Sequence, residues 1–210
     1  MTVLIYNDDG VSTDSCSALC HFYRNDMRCV LGADLQNPDT FSCATLFIVP
    51  GGRSLPFYDK LGKAGNQNIK NFVEQGGTYF GLCAGAYYAS TKTIFAENSP
   101  LALFLPGELH FFQGSAIGPV FAEKDFAYHS EAGARWVDII WQDGRTDSVY
   151  FNGGCYFEDA ENYPNTVVLA RYQENAKPAI IACSVGLGYA ILSGVHPELT
   201  IGSGSDSDRR

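Results

Sequence analysis

Between Thr78 and Ser90 a β-rich pentad, Thr78-Tyr79-Phe80-Gly81-Leu82, runs without a break into Cys83 and then into the helix-forming stretch Ala84 to Ser90. The joint, Gly81-Leu82-Cys83-Ala84-Gly85, reads G-x-C-x-G. A strand that becomes a helix with no intervening loop must fold back sharply at the cysteine. The residues two before and two after it then approach each other and must be small, a demand that glycine meets. Such a joint belongs at the end of a parallel strand that feeds a covering helix, so it commits the chain to an α/β architecture.

The rest of the first half has the same rhythm. Val3 to Tyr6 reads as a buried strand that stops at Asn7-Asp8-Asp9-Gly10. Ser12 or Thr13 caps a helix carrying Ala18, Leu19 and Phe22. Cys29 to Leu31 and Leu46 to Val49 read as strands, the latter halted by Pro50-Gly51-Gly52. Asn66 to Gln75 reads as a helix with Ile69, Phe72 and Val73 on one face, ended by Gly76-Gly77. This β-α-β-α order predicts a parallel sheet with helices on both faces. The second half is strand-rich: Trp136 to Trp141, Ser148 to Phe151, Thr166 to Tyr172, Ala179 to Ser184 and Tyr189 to Leu192, with short turns that predict antiparallel additions.

The 210 residues suit one α/β domain over 1–200, followed by a Gly/Ser/Asp-rich tail over 201–210 that is expected to be flexible. With 46% hydrophobic residues the chain can bury a sizeable core. Its 23 acidic against 14 basic residues, with Arg209-Arg210 the only adjacent basic pair, argue against a nucleic-acid partner. No apolar run reaches the roughly 20 residues of a membrane span, and the N-terminus has no signal-peptide pattern, so a cytoplasmic location is expected. Seven cysteines without a C-x-x-C pair are expected to be free thiols. Cys16 and Cys20 share a helical face beside His21, but no second pair completes four ligands. They are read as small core residues, and no metal or cofactor is assigned.

Cys83 is the candidate nucleophile, because the helix after it points N–H groups at the sulfur and favours negative charge there. His196, in Ser193-Gly194-Val195-His196-Pro197-Glu198, lies just past a strand end and is the candidate base, with Glu198 to orient its imidazole. Gly52, after the strand end at Val49, and Ala84, directly after the cysteine, offer backbone N–H groups for an oxyanion hole. Gly51, Arg53 and Tyr87 are candidates for the substrate pocket, Arg53 as a partner for a carboxylate.

The order P-G-G, G-x-C-x-G, H-P-E resembles the class I glutamine amidotransferases. More closely, it resembles the amidotransferase-like N-terminal domain of eukaryotic-type biotin protein ligases and its free-standing bacterial relatives. The likeness is carried by Val3 to Asn7, Val49 to Pro56, Gly81 to Ser90, Glu108 to Phe112, Ser130 to Arg135, Tyr150 to Gly154 and Ser193 to Glu198, and so spans nearly the whole chain. It implies a flavodoxin-like three-layer sandwich with a mostly parallel central sheet. It also implies Cys83 as nucleophile, His196 as base, Glu198 as orienting acid, Gly52 and Ala84 as oxyanion donors, and a thioester intermediate on a small amide. The likeness departs at Tyr87, where glutaminase versions carry a glutamine. A phenol lacks the paired donor and acceptor of an amide, which argues against glutamine as the substrate. No Gly-Arg-Gly-rich adenylate-binding loop occurs, so biotinylation by this chain alone is not expected.

Rival signals are weaker. Asn7-Asp8-Asp9-Gly10-Val11 resembles the start of metal-dependent nucleotidases of the survival-protein-E family, but reads better as a turn. His129 is expected in a surface loop, His110 packed and hydrogen-bonded, His21 away from the strand ends, and Glu158-Asp159-Ala160-Glu161 solvated. Two functions remain: a cysteine-dependent amidohydrolase or acyl transferase on an unidentified small molecule, and a non-catalytic regulatory module acting with a biotin ligase or synthetase partner. A thiol redox sensor at Cys83 is a third.

Overall fold

The computed structural model describes residues 2–121, 124–128 and 130–200. The tail expected to be flexible and His129 lie outside the described residues. In chain order the first half runs β1 (Thr2–Tyr6), α1 (Thr13–Tyr23), β2 (Met27–Val30), β3 (Ala44–Val49), α2 (Leu55–Glu74), β4 (Thr78–Leu82) and α3 (Ala84–Ala89). The second half comprises β5 (Ser90–Phe95), β6 (Leu103–Pro106), β7 (Phe112–Gly118), β8 (Arg135–Trp141), β9 (Thr146–Phe151), β10 (Tyr156–Phe157), β11 (Thr166–Tyr172), β12 (Pro178–Val185), β13 (Gly188–Ser193) and α4 (Pro197–Thr200).

Nine strands form one sheet in the order β2-β1-β3-β4-β13-β12-β11-β8-β9. Pairing is parallel from β2 through β13 and antiparallel from β13 to β9. The expected α/β class with antiparallel additions is therefore found, and the additions extend the same sheet. Alternation of side chains along each strand separates two helical layers. Val3, Ile5, Ile48 and Leu82 pack with Cys16 and Leu19 of α1. Leu4, Tyr6, Phe47, Val49 and Tyr79 join the larger core with Phe57, Leu61, Ile69 and Val73 of α2. A strand buried on both faces must be apolar at successive positions, which is why β1 and β3 read as continuous runs.

Three local departures have physical causes. Ser12 is the residue that caps α1, its hydroxyl accepting from the Ser15 N–H, and the face that α1 buries is Ser15, Cys16 and Leu19, while Phe22 is exposed. Helix α2 starts eleven residues before the expected Asn66. Its buried stripe recurs every fourth residue, at 57, 61, 65, 69 and 73, and crosses a break at Gly62 (φ 56°). Pro56 sits in its first turn, where a missing N–H costs nothing, so it marks a start and not a loop. A second sheet, in the order β10-β7-β5-β6, was not expected from the sequence. Its central strand β5, Ser90-Thr91-Lys92-Thr93-Ile94-Phe95, has no continuous apolar run to signal it.

Because β1, β3, β4 and β13 are parallel, their C-terminal ends share one edge of the sheet. There the backbones touch. A Cβ on Gly81 would lie 2.7 Å from the Gly85 carbonyl group, and one on Gly85 would overlap the Val49 carbonyl oxygen. Gly85→Ala is therefore expected to cost about 1–3 kcal/mol through overpacking. Gly144→Asn, in open space at φ 86°, should change stability by less than about 0.5 kcal/mol, since asparagine tolerates the left-handed region. Urea denaturation of both variants checks this; equal losses would contradict the close-approach account.

Candidate active site

Cys83 stands between β4 and α3 at φ 45°, ψ −101°, a positive φ in a non-glycine residue. The turn is held on both sides. The Cys83 N–H donates to the Ser193 carbonyl at the end of β13 (2.8 Å), and its carbonyl accepts from Ala86 (2.9 Å) and Tyr87 (3.0 Å). Strain of this kind persists only where surrounding contacts over-determine it, and it collects at functional sites. Cys83 is 5% exposed, and its thiol lies 3.7 Å from the Asn152 carbonyl oxygen.

The segment after β13 brings His196 and Glu198 to the same edge. The His196 N–H donates to the Tyr150 carbonyl of β9 (2.9 Å), which ties this segment to the last strand of the sheet. Its Nδ1 lies 2.8 Å from Glu198 Oε1, and both side chains are almost fully buried. The same Oε1 accepts from the Ser15 hydroxyl at 2.6 Å, and the Ser15 oxygen accepts from the Gly51 N–H at 3.2 Å. A Cβ on Gly51 would collide with His196 Cε1, so only glycine admits the ring here.

His196 is raised from 6.5 to about 10. Burial is the largest single influence and acts the other way, disfavouring the imidazolium. The Glu198 carboxylate, with hydrogen bonding to Cys83 and Glu198 and the charge of Cys83, outweighs it.

Cys83 opens onto a cavity of about 260 Å³ lined by Gly52, Arg53, Ala84, Tyr87, Thr93, Phe95, Leu101, Leu103, Phe126, Tyr128 and Asn152, among others. The two residues expected to supply oxyanion donors, Gly52 and Ala84, thus face one cavity with the thiol. The Gly51 amide is taken by Ser15. Arg53 is exposed and lies over the Tyr128 ring at 5.0 Å. Tyr87 is buried; its hydroxyl donates to the Gly153 carbonyl at 3.1 Å, and burial pushes its phenol far above the ordinary range, so it remains a neutral donor.

Sequence reasoning missed Ser15, Asn152 and the aromatic pair Phe126 and Tyr128. Ser15 looks like any small residue in a first helical turn; its only signal is that it falls on the buried face with Cys16 and Leu19. Asn152 lies in the segment Tyr150 to Gly154, and its buried side-chain oxygen has no hydrogen-bond partner among the described residues.

The rival residues lie elsewhere or do other work. Asp8 accepts from the Asp9 amide within its turn and from the Gly32 amide of the loop after β2, and pairs with Lys60. His21 is exposed. His110 is exposed rather than packed, at φ 56°, with Nδ1 3.3 Å from the Thr91 hydroxyl; its left-handed turn lifts the ring out of the apolar Phe111-Phe112 neighbourhood. Tyr88 is packed, donating to Asn66 at 2.8 Å, and Glu161 pairs with Arg171.

Residues 1–209 match the family model described as biotin-protein ligase, N terminal. The biotin–protein ligase of Schizosaccharomyces pombe is 37% identical over 225 residues, covering all of this chain and 35% of that protein. An uncharacterized protein of Chlamydia muridarum is 32% identical over 215 residues, covering 93% of this chain and 80% of its own length. The chain thus spans about a third of the yeast ligase and most of the chlamydial protein. Among solved structures, a glutamine amidotransferase superposes with a TM-score of 0.67 at 18% identity, covering 95% of this chain and 92% of that one, a likeness of fold. Among the described residues no helix is long and apolar enough to cross a membrane. The chain belongs to the biotin-protein ligase N-terminal family, on an amidotransferase-like fold.

Proposed function

We propose that this chain is a cysteine-dependent amidohydrolase or acyl transferase acting on a small amide. The Cys83 sulfur attacks the carbonyl carbon; its proton, held by His196 as the imidazolium in the resting site, passes to the departing nitrogen, leaving a thioester on Cys83 and a neutral imidazole. Water then adds to the thioester carbonyl with His196 as base; the acid is released and the thiol regains its proton. Glu198 stabilises the imidazolium, and the Gly52 and Ala84 amides receive the charge that develops on the carbonyl oxygen. The observation that carries this reading is the buried relay Ser15–Glu198–His196 beside the cavity that holds Cys83. A buried carboxylate and a buried imidazole are costly unless each stabilises the other.

The cavity bounds the substrate. About 260 Å³ admits a metabolite-sized molecule. Its aromatic wall favours an apolar or planar body, and Arg53, at the exposed rim without a carboxylate partner among the described residues, suits an anionic group. Tyr87 supports a second reading. Its hydroxyl is committed to Gly153, at the position where glutaminases carry an amide, which favours a regulatory module that binds a ligand and acts with a biotin ligase or synthetase partner, without biotinylation of its own.

Alkylation separates the two. Iodoacetamide near neutral pH is expected to modify Cys83 ahead of the exposed Cys29 and Cys43. His196→Ala is expected to slow it by about 100-fold, the scale of a lost proton acceptor, while leaving Cys29 and Cys43 unchanged. Mass-spectrometric mapping reads both, and labelling of Cys83 no faster than the exposed thiols would remove the enzyme reading. Ammonia release from a panel of small primary amides, absent in Cys83→Ser, then distinguishes turnover from binding.

The pH dependence of stability tests the relay. Between 6.5 and about 10 the folded chain keeps a proton on His196 that the unfolded chain has released. At His196 itself the unfolded state holds fewer protons across that window, so the contribution of this group is full below 6.5 and is lost as pH rises through about 10. Glu198→Gln leaves burial unopposed by the carboxylate and drops the ring value. Urea midpoints of the wild type should therefore fall more steeply across the window than those of Glu198→Gln; parallel curves would contradict the ion pair.

A further inference from the structure

Away from the cavity, three thiols converge. Cys16 and Cys20 are one turn apart on α1, and the short 3₁₀ turn Arg24–Asp26 returns the chain so that Cys29 of β2 lies beside them. The sulfurs of Cys16 and Cys20 are 4.0 Å apart, those of Cys20 and Cys29 are 3.5 Å apart, and all three lie within 4.8 Å of one another. Helix spacing alone pairs Cys16 with Cys20. The third member comes from the edge strand, in place of the neighbouring His21.

We infer that Cys16, Cys20 and Cys29 form a binding site for a thiophilic cation, zinc or monovalent copper, with a fourth position open to solvent. The spacing fits: sulfurs bound tetrahedrally to zinc at about 2.3 Å are about 3.8 Å apart, which the two closest pairs bracket. Three thiolates select soft d¹⁰ ions over magnesium or calcium. Helix spacing accounts for Cys16 and Cys20 but not for Cys29, and with Cys20 half-buried and Cys29 exposed, solvent, a metal and an outside ligand can reach the trio. Binding breaks three S–H bonds, forms three metal–sulfur bonds and releases three protons to solvent, with no change of oxidation state. The ion clips α1 to the edge of the sheet.

The test titrates the full, reduced, untagged chain anaerobically with Zn²⁺ against a chromophoric chelator, and separately with Cu⁺. One equivalent of at least one ion is expected to bind and to raise the melting temperature. Cys29→Ser, an exposed position whose fold is checked by circular dichroism, should weaken binding by more than the about 10–100-fold that losing a residue which only orients a ligand costs. Cys43→Ser, outside the cluster, should bind as the wild type does. Binding of neither ion by the reduced wild type, including the case in which the trio instead oxidises readily to a disulfide, would overturn the site, as would unchanged binding in Cys29→Ser.

Discussion

A carboxylate removed from water must find donors, and much of this molecule's working edge is arranged around one such group. Glu198 Oε1 accepts the Ser15 hydroxyl and faces His196 Nδ1, so α1 and the segment after β13 meet at one oxygen, and the turn after β3 joins them through the Gly51 N–H on the Ser15 hydroxyl. An ion pair this deeply buried does not by itself add stability, because desolvation offsets the attraction. It does fix geometry: each partner left alone would be an unpaired buried polar group. The relay therefore sets the angle at which α1 lies on the sheet and the direction in which the imidazole faces.

That arrangement depends on backbones coming close. Gly81, Gly85 and Gly51 each stand where a methyl group would strike a carbonyl group or the His196 ring. The strained turn at Cys83 is held from β13 through the Ser193 carbonyl. Thiol, imidazole and carboxylate are thus carried at the ends of two neighbouring parallel strands, β4 and β13, and rigid strand ends position a site better than loops can. The small second sheet closes the far side: Thr93 and Phe95 of β5 line the cavity, and Phe95 packs edge-to-face with Phe126.

Tyr87 fixes the shape of the cavity from within the protein. Its ring is buried against Phe95, and Gly118 has no side chain where the phenol oxygen sits. The hydroxyl proton is committed within the protein, so the phenol shapes the cavity wall and is left only as an acceptor. The frame is common to amidotransferase-like folds, whereas the pocket chemistry belongs to this chain.

The α/β class, the cysteine joint and the membership of His196 and Glu198 in one strand-end segment were legible in the sequence. They depend on short-range rules: short apolar runs, glycines at fixed offsets from Cys83, and a two-residue spacing between His196 and Glu198. Ser15, Asn152, the second sheet and the Cys16–Cys20–Cys29 convergence were not legible. Ser15 meets Glu198 across 183 positions and Asn152 meets Cys83 across 69, and no local pattern encodes such separations. Cys29 joins its partners only because β2 is the edge strand beside β1. The sequence determined which residues could do chemistry. The tertiary structure alone decided which of them meet, because burial of both faces of the sheet fixes strand order and thereby brings distant side chains to one edge.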